Sequence, residues 1–417
     1  MARIDKFREP SRDIDVIHET DVLVVGSGPA VWRRRQGQPR RDSQHDVLYG
    51  DGVGCRSGCR YLGETRAKSC RFQYRCPAKR TASSGSAIDV TRNAIRLSAI
   101  LLTAATVVTG CADVAIAPAT TPKAIFIIVD GIPADVLENT ATPVLDTISG
   151  EDGYTRAYVG GEVGGESESP TSSAIGYNNL LTGTWANKHN VYDNEVNDPN
   201  YDYWDIFRIA KAHAPSLQTA IFSTWTDNRT KLLGDGLEQA GGNKFDYAFD
   251  GFELDEDRFP HDLLHNYIRT IDDHVTDEAA RVINSNGPDL SWVYLEYTDS
   301  VGHGYGDGPQ MTAAVEHMDG QIGRIWSAVQ NRQRAHDEDW MIVVTTDHGR
   351  DAKTGQGHGN QTERERTTWI VTNSDDLNAR YYQTPGIVDI LPSIATHLDL
   401  EIPASIRDQL DGQSFID

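Results

Sequence analysis

The chain has 417 residues, 38% of them hydrophobic types. That suffices for one large domain or two ordinary ones, and it excludes a polytopic membrane protein, a collagen and a disulfide mini-protein. The net charge of −22 is unevenly spread: residues 1–110 carry 19 basic and 11 acidic side chains, the rest 20 and 50. So acidic a body repels a nucleic-acid polymer, because Lys and Arg supply most of the affinity for phosphate backbones. It favours solubility and bound cations instead.

An apolar run enters Gly26-Ser27-Gly28, and this short stretch resembles the first strand and turn of a flavoprotein oxidoreductase. The pattern then stops. Val31 stands where a third Gly or Ala belongs, and Trp32-Arg33-Arg34-Arg35 follows where an apolar helix would pack. No flavin or nicotinamide site is expected. Residues 31–89 show no sustained period of 2 or 3.6 and read as disordered or as unselected translation. Cys55, Cys59, Cys70 and Cys76 form no tight CxxC pair, which argues against zinc there.

Residues 90–111 read as a signal peptide. Arg92 and Arg96 precede the apolar stretch Leu97–Val108, too short to span a bilayer, and Val108-Thr109-Gly110-Cys111 resembles a bacterial lipobox. The expectation is an exported protein, periplasmic or at the cell surface, touching the membrane only through a lipidated Cys111. Because such a signal belongs at an N-terminus, residues 1–89 are expected to be a mis-annotated extension, with translation starting at Val90. Residues 112–417 then form the working domain. Cys111 is the last cysteine, so this domain holds no internal disulfide.

Within that domain three apolar runs end in aspartate. Residues 124–129 lead into Asp130, residues 292–297 lead through Thr298 into Asp299, and residues 341–346 lead into Asp347-His348-Gly349. Continuous β-branched runs mark strands buried on both faces, hence a mostly parallel sheet. Thr219–Ser223 and Thr368–Thr372 are further strands. Met311, Val315, Met318, Ile322, Ile325, Trp326 and Val329 recur at helical spacing, and residues 202–213 and 260–284 look similar. The fold class is α/β, a doubly wound, mostly parallel sheet with helices on both faces.

In such sheets the site lies beyond the carboxyl ends of the strands. A single strand-end Asp reads equally well as a helix cap. Here each has company: Asp299 and His303 stand four apart in a Gly-containing turn, Asp347 adjoins His348, and His358 lies between two glycines. Three Asp and three His supply mixed oxygen and nitrogen donors for two divalent metals, zinc before manganese or iron. Thr171, Ser172 and Ser173 precede an apolar segment ending at Gly183, which makes a helix N-terminus suited to an anion.

With these motifs in this order, residues 123–417 resemble the alkaline phosphatase superfamily, in its type I phosphodiesterase/nucleotide pyrophosphatase branch. The resemblance implies that Asp130, Asp347, His348 and Ser173 hold one zinc and Asp299, His303 and His358 the other. It implies Ser173, ten residues before Gly183, as nucleophile and Asn194, 21 residues after it, as the phosphate-binding amide. The expected activity is hydrolysis of phosphodiester or pyrophosphate bonds through a phosphoserine, in a small phosphoester, nucleotides among the candidates. A phosphomonoesterase of the same superfamily and a catalytically silent binding protein are the alternatives. Ser173 is followed by Ala174-Ile175-Gly176 rather than the branch's common Phe-Pro-Asn, so Thr171 competes as nucleophile. No CxPxR-like context surrounds Ser173, which argues against a formylglycine sulfatase. Glu363-Arg364-Glu365-Arg366 reads as alternating charge on an edge strand.

Overall fold

The computed structural model describes residues 120–417 and, near the chain start, the backbone of an antiparallel pair, β1 (Ile4–Glu9) and β2 (Arg12–Ile17). The Gly26–Gly28 turn, the cysteines, the signal segment and the lipobox lie outside the described residues.

The body is one seven-stranded sheet between layers of helices. In chain order its strands are β3 (Thr121–Val129), β4 (Tyr154–Tyr158), β5 (Thr219–Ser223), β6 (Tyr247–Phe249), β7 (Leu290–Leu295), β8 (Glu338–Thr345) and β9 (Thr367–Thr372). Across the sheet the order is β4-β9-β8-β3-β7-β5-β6. Five neighbouring strands, β8 to β6, run parallel, and only β9 is antiparallel to both its neighbours. The expected doubly wound, mostly parallel sheet is observed.

Strand β3 shows why the sheet is buried on both sides. Phe126 and Ile128 point to a core shared with the helices Ser173–Thr182, Ile206–His213 and Ile390–His397. Ile125, Ile127 and Val129 point to the opposite core, under the helices Asn266–Asn286 and Pro309–Ala335. All five side chains are fully buried. Each contributes about 1.5–3 kcal/mol by leaving water. A strand with apolar residues at every position can pair only where both faces are covered.

Register then builds the rim. Val129 lies opposite Leu295 and Ile128 opposite Thr345. One and two steps further, the chain places Asp130 beside Glu296 and Asp347. Backbone ties lock this arrangement: Asp130 N–H donates to the Leu295 carbonyl (3.0 Å) and Ile132 N–H to Thr346 Oγ1 (3.0 Å).

Two local expectations are corrected. Asp299 and His303 sit in a helix, Tyr297–Tyr305, rather than a turn, so the four-residue spacing puts both on one helical face. Glu363–Arg366 is a short helix with a Thr362/Glu365 capping box, ahead of an interior strand rather than on an edge. Glu365 is fully buried. Asp255, Glu256 and Asp257 are exposed to solvent.

Candidate active site

Six side chains from four segments of the chain converge at the carboxyl ends of β3, β7 and β8. They fall into two groups, Asp130–Asp347–His348 and Asp299–His303–His358, whose ligand-type atoms lie within 4.8 Å of one another in each group. The first group is buried throughout; in the second, His303 is exposed.

The imidazoles are oriented from behind. His348 Nδ1 donates to the Gly349 carbonyl at 2.9 Å and His358 Nδ1 to the Thr171 carbonyl at 3.1 Å. Each Nε2 therefore keeps its lone pair facing inward, the arrangement of a metal-binding histidine. His358 Nε2 lies 3.1 Å from His303 Nε2, and His348 Nε2 lies 3.4 Å from Asp130 Oδ1 and 3.3 Å from Asp347 Oδ2. The His348 and His358 rings stack at 3.9 Å.

The carboxylates are also half-satisfied by the protein. Asp130 Oδ2 takes the hydroxyls of Tyr177 and Tyr294, the latter at 2.7 Å. Asp347 Oδ1 takes the Gly131 N–H at 3.0 Å. The other oxygens, Asp130 Oδ1 and Asp347 Oδ2, are buried with no hydrogen-bond partner among the described residues. Unpartnered buried carboxylate oxygens cost several kcal/mol unless a cation meets them.

Protonation follows the same logic. Burial, then the Asp299 charge, pushes Asp130 up to about 7. Burial, then Asp130, holds Asp347 well above the ordinary carboxylate range. Burial also keeps His348 and His358 neutral-leaning, their pKa values lowered. At Asp299 burial is outweighed by the His303 hydrogen bond and the Arg350 charge, so its pKa is depressed. Two acids that retain protons beside two imidazoles that shed them form a site suited to divalent cations. The donor set, mixed carboxylate and imidazole, fits two such ions.

Ser173 opens the helix Ser173–Thr182, with Ser172 as N-cap. Its hydroxyl stands 3.3 Å from His348 Nε2. Asn194 Oδ1 accepts the Ala174 N–H at 3.0 Å, so its Nδ2 is the group left to donate. Ser173 and Asn194 line one cleft of about 630 Å³ with Asp130 and Asp299. Thr171 is engaged elsewhere. It is fully buried, and its hydroxyl takes the Gly359 N–H at 3.1 Å while its carbonyl holds His358. It fastens the His358 loop and is not presented to the cleft.

Sequence reasoning missed Arg350. Its guanidinium is fully buried and donates to the carbonyls of Gly131 (2.9 Å), Gln356 (2.8 Å) and Asp299 (2.7 Å), and to Asp299 Oδ1. It ties together the segments that follow β3, β7 and β8. Its place three residues after Asp347 was the available signal. Tyr177, Tyr294, Trp225 and Glu296 also line the cleft and were not singled out.

Residues 124–399 match the family model described as type I phosphodiesterase / nucleotide pyrophosphatase. The chain belongs to this family. A GPI ethanolamine phosphate transferase 3 from Eremothecium gossypii is 33% identical over 120 residues, which are 25% of this chain and 11% of that protein. A 2,3-bisphosphoglycerate-independent phosphoglycerate mutase from Natronomonas pharaonis is 26% identical over 147 residues, 34% of this chain and 27% of that one. The chain thus spans well under a third of the length of these curated relatives. Among solved structures, the phosphonate monoester hydrolase of Agrobacterium radiobacter superposes with a TM-score of 0.51 at 15% identity, covering 70% of this chain and 76% of that one. This last likeness is one of fold, and the fold is alkaline-phosphatase-like.

Proposed function

We propose that the chain is a two-metal hydrolase of phosphodiester or pyrophosphate bonds that works through a phosphoserine at Ser173. One observation carries the reading: the Ser173 hydroxyl opens a helix directly against two groups of inward-facing carboxylate and imidazole atoms. Asp130, Asp347 and His348 would hold one ion with Ser173, and Asp299, His303 and His358 the other. Zinc suits these donors. When bound, the ions supply positive charge that favours the serine alkoxide and offsets negative charge on the leaving oxygen.

The chain's own groups do the rest. The cleft brings the phosphoryl group to Ser173 at a helix N-terminus, where peptide dipoles favour an anion. Asn194 Nδ2 donates to a non-bridging oxygen, and one such donor is worth about 3 kcal/mol in a transition state. Ser173 gives up its proton to solvent and its Oγ forms a bond to phosphorus as the bond to the leaving alkoxide or phosphate breaks; an alkoxide departs with a proton from solvent. Water then cleaves the phosphoserine, freeing phosphate monoester and restoring the hydroxyl. Export with a lipid on Cys111 belongs to the same proposal, supported by residues 92–111 of the sequence.

The test is metal analysis of the full chain with a paired substrate assay. Two equivalents of zinc and faster cleavage of bis(4-nitrophenyl) phosphate than of 4-nitrophenyl phosphate are expected. The reverse order would make the protein a monoesterase. Full zinc occupancy without turnover of either would make it a binding protein.

A further inference from the structure

Asn194, the amide that faces the phosphoryl group in the proposed reaction, stands on an exposed loop rather than on a helix or strand. A loop must be held firmly if a donor on it is to meet a transition state. Asn194 itself touches the nucleophile helix through the Ala174 N–H on its Oδ1.

Both ends of that loop are fastened to one residue, His189, at the end of the short helix Ala186–His189. The His189 carbonyl takes the Asn200 N–H at 2.9 Å, and its ring Nδ1 takes the Val191 N–H at 3.1 Å. Asn190, in the left-handed conformation with φ +61°, turns the chain back so that this second bond forms. Between the two ties Val191 and Val196 drop into the core, so the loop is also pinned from below.

The same ring reaches the helix that carries Ser173. A backbone N–H can only donate, so Nδ1 is the acceptor and Nε2 carries the proton. Nε2–H then donates to Asn179 Oδ1 at 2.8 Å. Asn179 is fully buried, in the helix Ser173–Thr182 that Ser173 opens. His189 is fully buried too, and burial pushes its pKa down to about 3, so the imidazole stays neutral. A neutral imidazole offers one donor and one acceptor in fixed directions. Here both join the Ser173 helix to the Asn194 loop.

We infer that His189 is a positioning residue, whose imidazole bridges Asn179 and Val191 and thereby sets the Asn194 amide against the Ser173 hydroxyl. His189 neither lines the cleft nor belongs to a ligand group, so it acts through Asn194. The inference rests on the proposed role of Asn194 as the phosphate contact.

The test is a double-mutant cycle on the zinc-loaded full chain with bis(4-nitrophenyl) phosphate. Two variants cut the bridge at different ends. His189→Gln keeps an amide N–H near the Nε2 position for Asn179 but loses the acceptor for Val191. His189→Asn keeps an acceptor near the Nδ1 position but no longer reaches Asn179. Each should lower kcat roughly tenfold while KM moves less than about twofold, because the Asn194 contact strengthens in the transition state. In an Asn194→Ala background the same changes should cost less than about twofold, since the amide they position is gone. Melting temperature and zinc content confirm folded proteins. Equal losses in both backgrounds, or wild-type kcat in both single variants, would overturn the inference and leave the phosphodiesterase reading standing. Asn194→Ala at wild-type rate would remove the phosphate contact and the inference with it. If one His189 variant fails to fold, the other decides; if neither folds, His189 is a core group and the inference falls. If the diester is not cleaved at all, the phosphodiesterase reading fails, and calorimetry with inorganic phosphate repeats the cycle. Non-additive losses of phosphate affinity then support the bridge, and additive losses or no binding overturn it.

Discussion

Arg350 grips Asp299 twice, by its backbone carbonyl at 2.7 Å and by Oδ1. Asp299 is thereby fixed as an anion on the exposed side of the site, while Asp130 and Asp347 behind it retain protons until cations arrive. Arg350→Ala would leave the Gly131, Gln356 and Asp299 oxygens without their donor. Breaking a buried pair by removing one partner costs about 3–5 kcal/mol. We expect a destabilisation of that order in chemical denaturation and loss of the second metal, with Arg350→Lys intermediate. Two full metal equivalents in a folded alanine variant would remove Arg350 from this role.

Ser173→Ala should keep fold and metal, because the hydroxyl's one hydrogen bond among the described residues is to His348 and the helix retains its N-cap. Multiple-turnover hydrolysis should fall to near zero. A variant keeping more than about a tenth of wild-type kcat, a change under 1.4 kcal/mol in barrier, would mean that Ser173 is not the nucleophile.

Much of this is legible in the sequence. Asp130 and Asp347 stood out because each ends a run of residues apolar on both faces, and only an interior parallel strand makes such a run. The helix around Asp299 was hidden by Gly302 and Gly304, which read as a turn. Its reason is tertiary: a Cβ at Gly302 would lie 2.2 Å from Arg350 Cζ, so the glycine there makes room for the guanidinium. Glu363–Arg366 was misread although Thr362 and Glu365 carry a capping-box spacing. Tyr177 gave no sign of its site role, and Arg350 only its nearness to Asp347. Their partners lie far off in sequence, 219 residues in the case of Arg350 and Gly131.

Removing metal should change the slope of stability against pH. In the metal-free fold Asp130 titrates near 7 against a reference of 3.8, with burial the main cause; Asp347 and Asp272 shift the same way. Between pH 4 and 7 the folded state then holds protons that the unfolded state has released. The contribution of these carboxyls to stability falls as pH rises across that window, while that of His348 and His358, shifted downward from 6.5, rises within it. Asp299, shifted downward, acts below it. Bound zinc displaces the protons, so the loaded protein should gain stability over the same interval. Urea midpoints from pH 4.5 to 7.5, with and without chelator, check this. Parallel slopes in the two series would refute it.

Gly176→Ala sets two effects against each other. Alanine in a helix interior is favoured over glycine by about 1 kcal/mol. Gly176, however, faces Asp347: a Cβ there would lie 2.6 Å from the Asp347 carbonyl oxygen and 2.8 Å from its Cβ. Backbone at that distance cannot swing aside as a side-chain tip can, and overpacking of this kind costs about 1–3 kcal/mol. The contact should win, pushing the Ser173 helix away from the Asp347 strand end. A misplacement near 1 Å at a reacting group can cost about a hundredfold in rate. We therefore expect kcat to fall far more than the melting temperature does, with zinc content reduced at the Asp130–Asp347–His348 group. A stabilised, fully active Gly176→Ala protein would show that the Ser173 helix does not depend on close approach to Asp347.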